Sequence, residues 1–188
     1  MKNFFILFII ASIFLISCNS TGSKEKKKTI TANYSLYVEE KSNKQVSFTQ
    51  LKSRGLDILS GYIYGLKFEN IDKENIKIIF DNNISGDMYE KLKSEMTNVE
   101  FGGKPYFVED LKFKFTPMVN PQGSSKKITV SAFAKNENFW QAYNELLTDA
   151  VRKNTKAGNK GLIVPISDLS VSLKNGFVVS SKFDIYIY

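Results

Sequence analysis

Ser124-Ser-Lys-Lys127 and Ser23-Lys-Glu-Lys26 both carry the Ser-x-x-Lys spacing, in which a neighbouring amine can take the proton of a serine nucleophile. That chemistry needs both side chains on one rigid helical turn. Ser124 and Lys127 follow Pro121 and Gly123 and are expected in a turn, while the first pair falls in a polar spacer. Asp81, Asn83, Ser85 and Asp87, with Gly86, resemble the first half of a calcium loop, with oxygen-bearing side chains at alternate positions. Leu92 stands where a bidentate glutamate would be required, so a turn leading into a helix cap is expected there. Glu109 and Asp110 are adjacent, which on a strand sends them to opposite faces and prevents them from flanking one scissile bond. Glu109 shares its face with Phe107, Leu111 and Phe113, which points to a strand edge or bulge there, with a buried partner as the alternative. Gly102-Gly-Lys-Pro105 and Gly158-Asn-Lys-Gly161 lack phosphate-loop spacing and are expected to be turns. The chain has no histidine and one cysteine, which excludes Ser-His-Asp and Cys-His nucleophiles and the usual zinc ligand sets. No catalytic residue, metal or cofactor is expected.

The cysteine is Cys18, and its surroundings are ordered for one reaction. Met-Lys-Asn forms a charged start, Phe4 to Leu15 is an apolar run broken only by Ser12, and Ile16-Ser17-Cys18 follows. The run is shorter than the roughly 20 apolar residues of a spanning helix. Leu15-Ile16-Ser17-Cys18 resembles the lipobox of bacterial lipoproteins, with Ser17 where glycine or alanine is more usual. The resemblance implies that the Cys18 thiolate accepts a diacylglyceryl group, that residues 1–17 are removed, and that acyl chains such as palmitate hold the protein to a membrane outside the cytoplasm. An ordinary signal peptide or an uncleaved anchor is the alternative layout. Two or three acyl chains bury enough methylenes for stable anchoring, which one chain would not. Residues 18–28 are then a polar, lysine-rich tether, and residues 29–188 a single domain. With its Asn/Lys/Ile-rich body, the chain is similar to small spirochaetal lipoproteins, a likeness confined to the first 28 residues and the composition.

The formal net charge of +7 would suit nucleic acid only if it were gathered on one face. Setting aside Lys2 in the leader, and Lys24, Lys26, Lys27, Lys28 and Glu25 in the tether, leaves 21 basic and 18 acidic residues in the domain. Those charges alternate in sign (Lys73, Glu74, Lys77; Glu90, Lys91, Lys93, Glu95), so no nucleic-acid partner is expected. At 43% hydrophobic and 13% aromatic, the chain is too apolar to be disordered.

Periodicity supplies the framework. Strands are expected over residues 29–39, 76–80, 107–115, 128–132, 169–173 and 177–187, all but the short 76–80 marked by alternation. The third and fourth are expected to form one hairpin across Pro117, Pro121 and Gly123, and the last two a second hairpin through Asn175-Gly176. Phe139 to Lys153 reads as an amphipathic helix capped by Asn138, with Arg152 and Lys153 in its last turn. A second helix is expected from Asp87 to Thr97 with Met88, Leu92 and Met96 inward. A third begins near Phe48 and gives way to a strand carrying Tyr62, Tyr64, Leu66 and Phe68. The sum is an α+β fold: a mainly antiparallel sheet of six or seven strands with two or three helices on one face.

The function class expected is a non-enzymatic binding or interaction domain on the outer membrane or cell surface, with an unknown protein or other macromolecule as ligand. The alternative is a periplasm-facing accessory in lipid or outer-membrane assembly. Tyr and Phe combine large apolar area with few rotatable bonds, which suits both cores and interfaces. Tyr37, Tyr186 and Tyr188, on the outward sides of their strands, are the candidate interaction surface.

Overall fold

The alternation of the first strand is realised residue by residue: Ala32, Tyr34, Leu36 and Val38 of β1 (Ile30–Glu39) are each at most 3% exposed. The structure is a computed structural model that describes residues 28–80 and 83–188. Cys18, the leader, the tether through Lys27 and Asp81 lie outside the described residues. Along the chain follow α1 (Lys44–Tyr64), β2 (Leu66–Asn70), β3 (Ile76–Ile79), β4 (Tyr89–Phe101), β5 (Lys104–Phe115), β6 (Lys126–Asn136), α2 (Phe139–Asn154), β7 (Lys160–Pro165), β8 (Ser170–Leu173) and β9 (Phe177–Ile187). The fold is α+β and mainly antiparallel, but its strands divide into two sheets. The smaller has the order β1-β5-β4. The larger runs β3-β2-β7-β9-β6, with β8 also paired to β9.

The hairpin expected between residues 107–115 and 128–132 does not form. β5 is the middle strand of the small sheet, held by β1 on one side and β4 on the other, while β6 pairs with β9. Alternation fixes which face of a strand is buried, and says nothing about which strand lies beside it. The hairpin of β8 and β9 is present as expected, with Asn175 and Gly176 both at positive φ in its turn.

The helix expected over Asp87 to Thr97 is instead β4. Met88, Leu92 and Met96 are four residues apart, a spacing that places side chains on one side of a helix and equally on one side of a strand. Pairing with β5 along nearly its whole length settles the choice. The other helix ends later than expected. α1 starts at its Asn43 cap, whose side chain accepts from Gln45 N–H at 3.1 Å, and continues through Tyr62 and Tyr64 to Gly65. Gly65 takes φ 75° and donates its N–H to the Gly61 carbonyl, ending the helix where a side chain would be strained. Leu66 packs over Gly61, where an added Cβ would stand 3.2 Å from the Leu66 Cγ. β7 had no alternation to betray it: Leu162, Ile163, Val164 and Pro165 are buried on both faces, and Gly161 lies inside the strand rather than in a turn.

α2 follows its sequence pattern closely. Asn138 accepts from the N–H groups of Trp140 and Gln141, and Phe139, Tyr143, Leu146, Leu147 and Val151 are buried against the large sheet. α1 packs on the small sheet, where Tyr34 stacks on Tyr62 and Phe113 and donates to the Gly55 carbonyl at 3.0 Å. The opposite face of the small sheet closes on the large one through Phe177. This fully buried ring lies 5.2 Å from Tyr37, 5.5 Å from Phe101, 5.3 Å from Tyr106 and 6.0 Å from Phe139.

Burial pushes the phenols of Tyr34, Tyr62 and Tyr143 above the ordinary tyrosine value. The unfolded chain gives up these protons near pH 10 while the folded chain keeps them. Stability is therefore complete below that pH and falls above it, by up to about 1.4 kcal/mol per tyrosine per pH unit. Tyrosinate absorbance is expected to rise for these three rings only as the fold is lost. Tyr143→Phe, which removes a buried hydroxyl with no protein partner, should reduce the alkaline loss and leave stability at neutral pH unchanged or raised by about 1 kcal/mol.

Candidate interaction groove

Three strands cannot cover both flanks of a 21-residue helix, and the small sheet leaves a trough beside α1. Its floor is the inward face of β5, its walls are α1 and the inward side of β4, and its volume is about 290 Å³. Phe48 and Leu56 come from α1, Tyr89 and Met96 from β4, and Leu111 and Phe113 from β5. Aromatic contacts fix the two ends: Phe48 lies 4.9 Å from Phe107, and Tyr89 stands edge-on to Phe113 at 5.3 Å. Lys52, Lys91 and Glu109 supply the charge.

Glu109 occupies the apolar side of β5, as its sequence position implied, and Ser94 of β4 donates to it at 2.7 Å. Its carboxylate is half-buried at the groove wall rather than sealed in the core. Asp110 points to the other face, where it takes the hydroxyl of Ser35. Nearby, Asp168 accepts from the backbone N–H and the side chain of Asn33, each at 2.9 Å, tying β1 to the loop before β8. These groups with Lys93 and Lys112 line a polar cleft of about 400 Å³ along the seam of the sheets. Both aspartates there already serve as acceptors for neighbouring donors, which makes the seam a joint.

The other residues singled out by spacing go to separate places. Ser124 sits in the turn before β6, and Lys127 lies within β6 itself, where its ammonium reaches Asp184 at 2.7 Å and lies 5.5 Å from the Tyr186 ring centre. The hydrogen bond to Asp184 raises the Lys127 pKa, so the amine stays protonated, the opposite of what activation of a serine requires. Of the calcium-like loop, Ser85 donates to Asp87, which holds that carboxylate below its usual range, and β4 begins two residues later. Among the described residues no cluster of three His, Cys, Asp or Glu could hold a metal ion.

The three tyrosines of the expected interaction surface are not brought together. Tyr37 is half-buried against Phe139 and Phe177, Tyr186 is half-buried beneath Lys127, and Tyr188 is exposed at the end of the chain. Phe177 and Tyr186 lie nine residues apart on β9, roughly 30 Å at the rise of a strand. The groove was missed because it depends on β4 being a strand beside α1, and four-residue spacing does not reveal that.

Comparison of the chain with protein-family models, with curated proteins and with solved structures found no match.

If the trough is an open surface, its wall should contribute little to stability. Met96→Ser is expected to change the unfolding free energy by less than about 1 kcal/mol. Leu111→Ala, under the floor, should cost about 2–5 kcal/mol. Equal losses in urea denaturation would mean that Met96 belongs to the core.

Proposed function

We propose that this chain is an exported, lipid-anchored, non-enzymatic interaction protein of the bacterial envelope, tethered through Cys18 and carrying the groove between α1 and β4 as its binding surface. The observation that carries the first half is the order of the leader: a charged start, an apolar run too short to span, and Leu15-Ile16-Ser17-Cys18. The binding half rests on the groove. Its lining mixes buried and exposed apolar side chains with Lys52, Lys91 and Glu109, a composition suited to a macromolecular partner whose own apolar residues fill the trough while its polar groups meet the rim. Phe48 and Met96, 36% and 48% exposed, are large apolar residues left at the surface beside it.

The residues with chemical spacing favour the same conclusion. Lys127 is held protonated by Asp184, Asp110 and Asp168 are occupied as structural acceptors, and Glu109 faces Ser94 without an activating base. Docking is the function this arrangement supports, and the membrane is its fixed partner. Outer-membrane or surface placement is the favoured location.

Two experiments in the native cell test this. Radiolabelled palmitate should enter the wild-type chain, and Cys18→Ala should abolish the label, leave the leader uncleaved and keep the chain out of the mature lipoprotein fraction. Label retained by Cys18→Ala, or a mature chain with a bare Cys18 thiol in mass spectrometry, would contradict the proposal. Protease added to intact cells should degrade a surface-exposed domain. Protection in intact cells with digestion after permeabilisation would instead place the domain facing the periplasm, as an accessory to envelope assembly.

A further inference from the structure

β4 has 13 residues and, among the described strands, pairs with β5 along one edge only, so its second edge presents N–H and C=O groups that no described strand takes. Every residue from Glu90 to Asn98 is exposed, and Tyr89–Phe101 contains neither proline nor glycine. A bulge between Lys91 and Lys93 leaves Leu92 without a partner on β5. The bulge interrupts alternation at Leu92, and the register resumes from Lys93 with Ser94 and Met96 on the groove side. Leu92 and Met96 are 45% and 48% exposed, and Lys93 and Glu95 project from the side away from the groove, where they pair with each other at 2.7 Å within the strand.

We infer that β4 pairs, antiparallel, with β4 of a second copy of this chain about a two-fold axis through Ser94. In that register Lys93 of each copy stands opposite Glu95 of the other, and Leu92 opposite Met96. Both opposite-charge pairs lie on one side, so the Lys93–Glu95 pair within each strand becomes an alternating cluster of four charges across the two strands. The neighbouring registers fail this test. An axis through Lys93 sets the two lysines against each other, and an axis through Glu95 sets glutamate against glutamate there and again at Glu90 and Glu100. The five residues from 92 to 96 are thus self-complementary in one register. A two-fold axis normal to the sheet also keeps both α1 helices on the same face, so the two grooves join into one trough across a doubled sheet.

So short a pairing buries less than the roughly 1,600 Å² of a standard interface, so the association is sought at micromolar and higher concentrations. Confinement of both copies to one membrane would raise their effective concentration, although the pairing itself does not depend on a lipid.

The test uses the full-length chain in detergent micelles, with sedimentation equilibrium from about 1 to 100 µM. The wild-type chain is expected to show a monomer–dimer equilibrium. Lys93→Glu and Glu95→Lys each place like charges opposite one another, and each alone should weaken self-association at least tenfold. Mixed in equal amounts, the two variants present complementary charges and should dimerise as the wild type does. The Lys93→Glu/Glu95→Lys double variant should also dimerise. Both side chains are about half exposed, so folding is expected to survive, and far-UV circular dichroism of each variant checks that. A wild-type chain that stays monomeric across the range, single variants that dimerise like the wild type, or a mixture that stays monomeric would each overturn the inference.

Discussion

The two sheets meet around one buried aromatic ring. Phe177 is the first residue of β9 and is wholly buried, and the rings around it come from β1, β4, β5 and α2: Tyr37, Phe101, Tyr106 and Phe139. All four contacts are edge-on, the arrangement in which the positive rim of one ring meets the negative face of another. The β8–β9 hairpin must turn tightly to deliver the ring there, and Asn175 and Gly176 accept the positive φ that the turn demands. A Cβ at Gly176 would stand 2.9 Å from the Asn136 carbonyl oxygen, so the turn is pressed against the end of β6 as well.

Clamped in this way, the small sheet is used on both faces. One face takes α1 through Ala32, Tyr34, Leu36 and Phe113, and the other takes Phe177 at one end and the Asn33–Asp168 hydrogen bonds further along. β1 is held on one edge by β5 and approaches β8 on the other, and β5 is enclosed. β4 is left as the strand with an open edge, and the space between it and α1 becomes the groove. The candidate site is therefore a by-product of how a narrow sheet meets a long helix, with its charges added at the rim.

Much of this framework was legible in the sequence, and the limits are physical. Period-two alternation located β1, β5 and β9 and named their buried sides correctly, because a half-buried strand must alternate. α2 was readable from its stripe and its Asn138 cap. β7 was invisible because a strand buried on both faces has no alternation, and β4 was mistaken because four-residue spacing satisfies both helix and strand. Partners of β5 and β6 could not be read, since strand pairing is decided by contacts distant in sequence. The lone carboxylate at Glu109 was correctly placed on the apolar side, yet the groove that gives it meaning required the fold. Tyr37 was read as outward-facing, which is true of its strand, but the outward side at that point is covered by Phe177.

The most direct measurement of this account is hydrogen exchange together with denaturation of Phe177→Ala. The substitution is expected to cost about 3–5 kcal/mol and to strip protection from the amides of β4 and β5 before those of β7 and β9, because the small sheet loses its hold on the large one. A loss below about 1 kcal/mol, with protection in β4 and β5 unchanged, would contradict the claim that this ring joins the sheets.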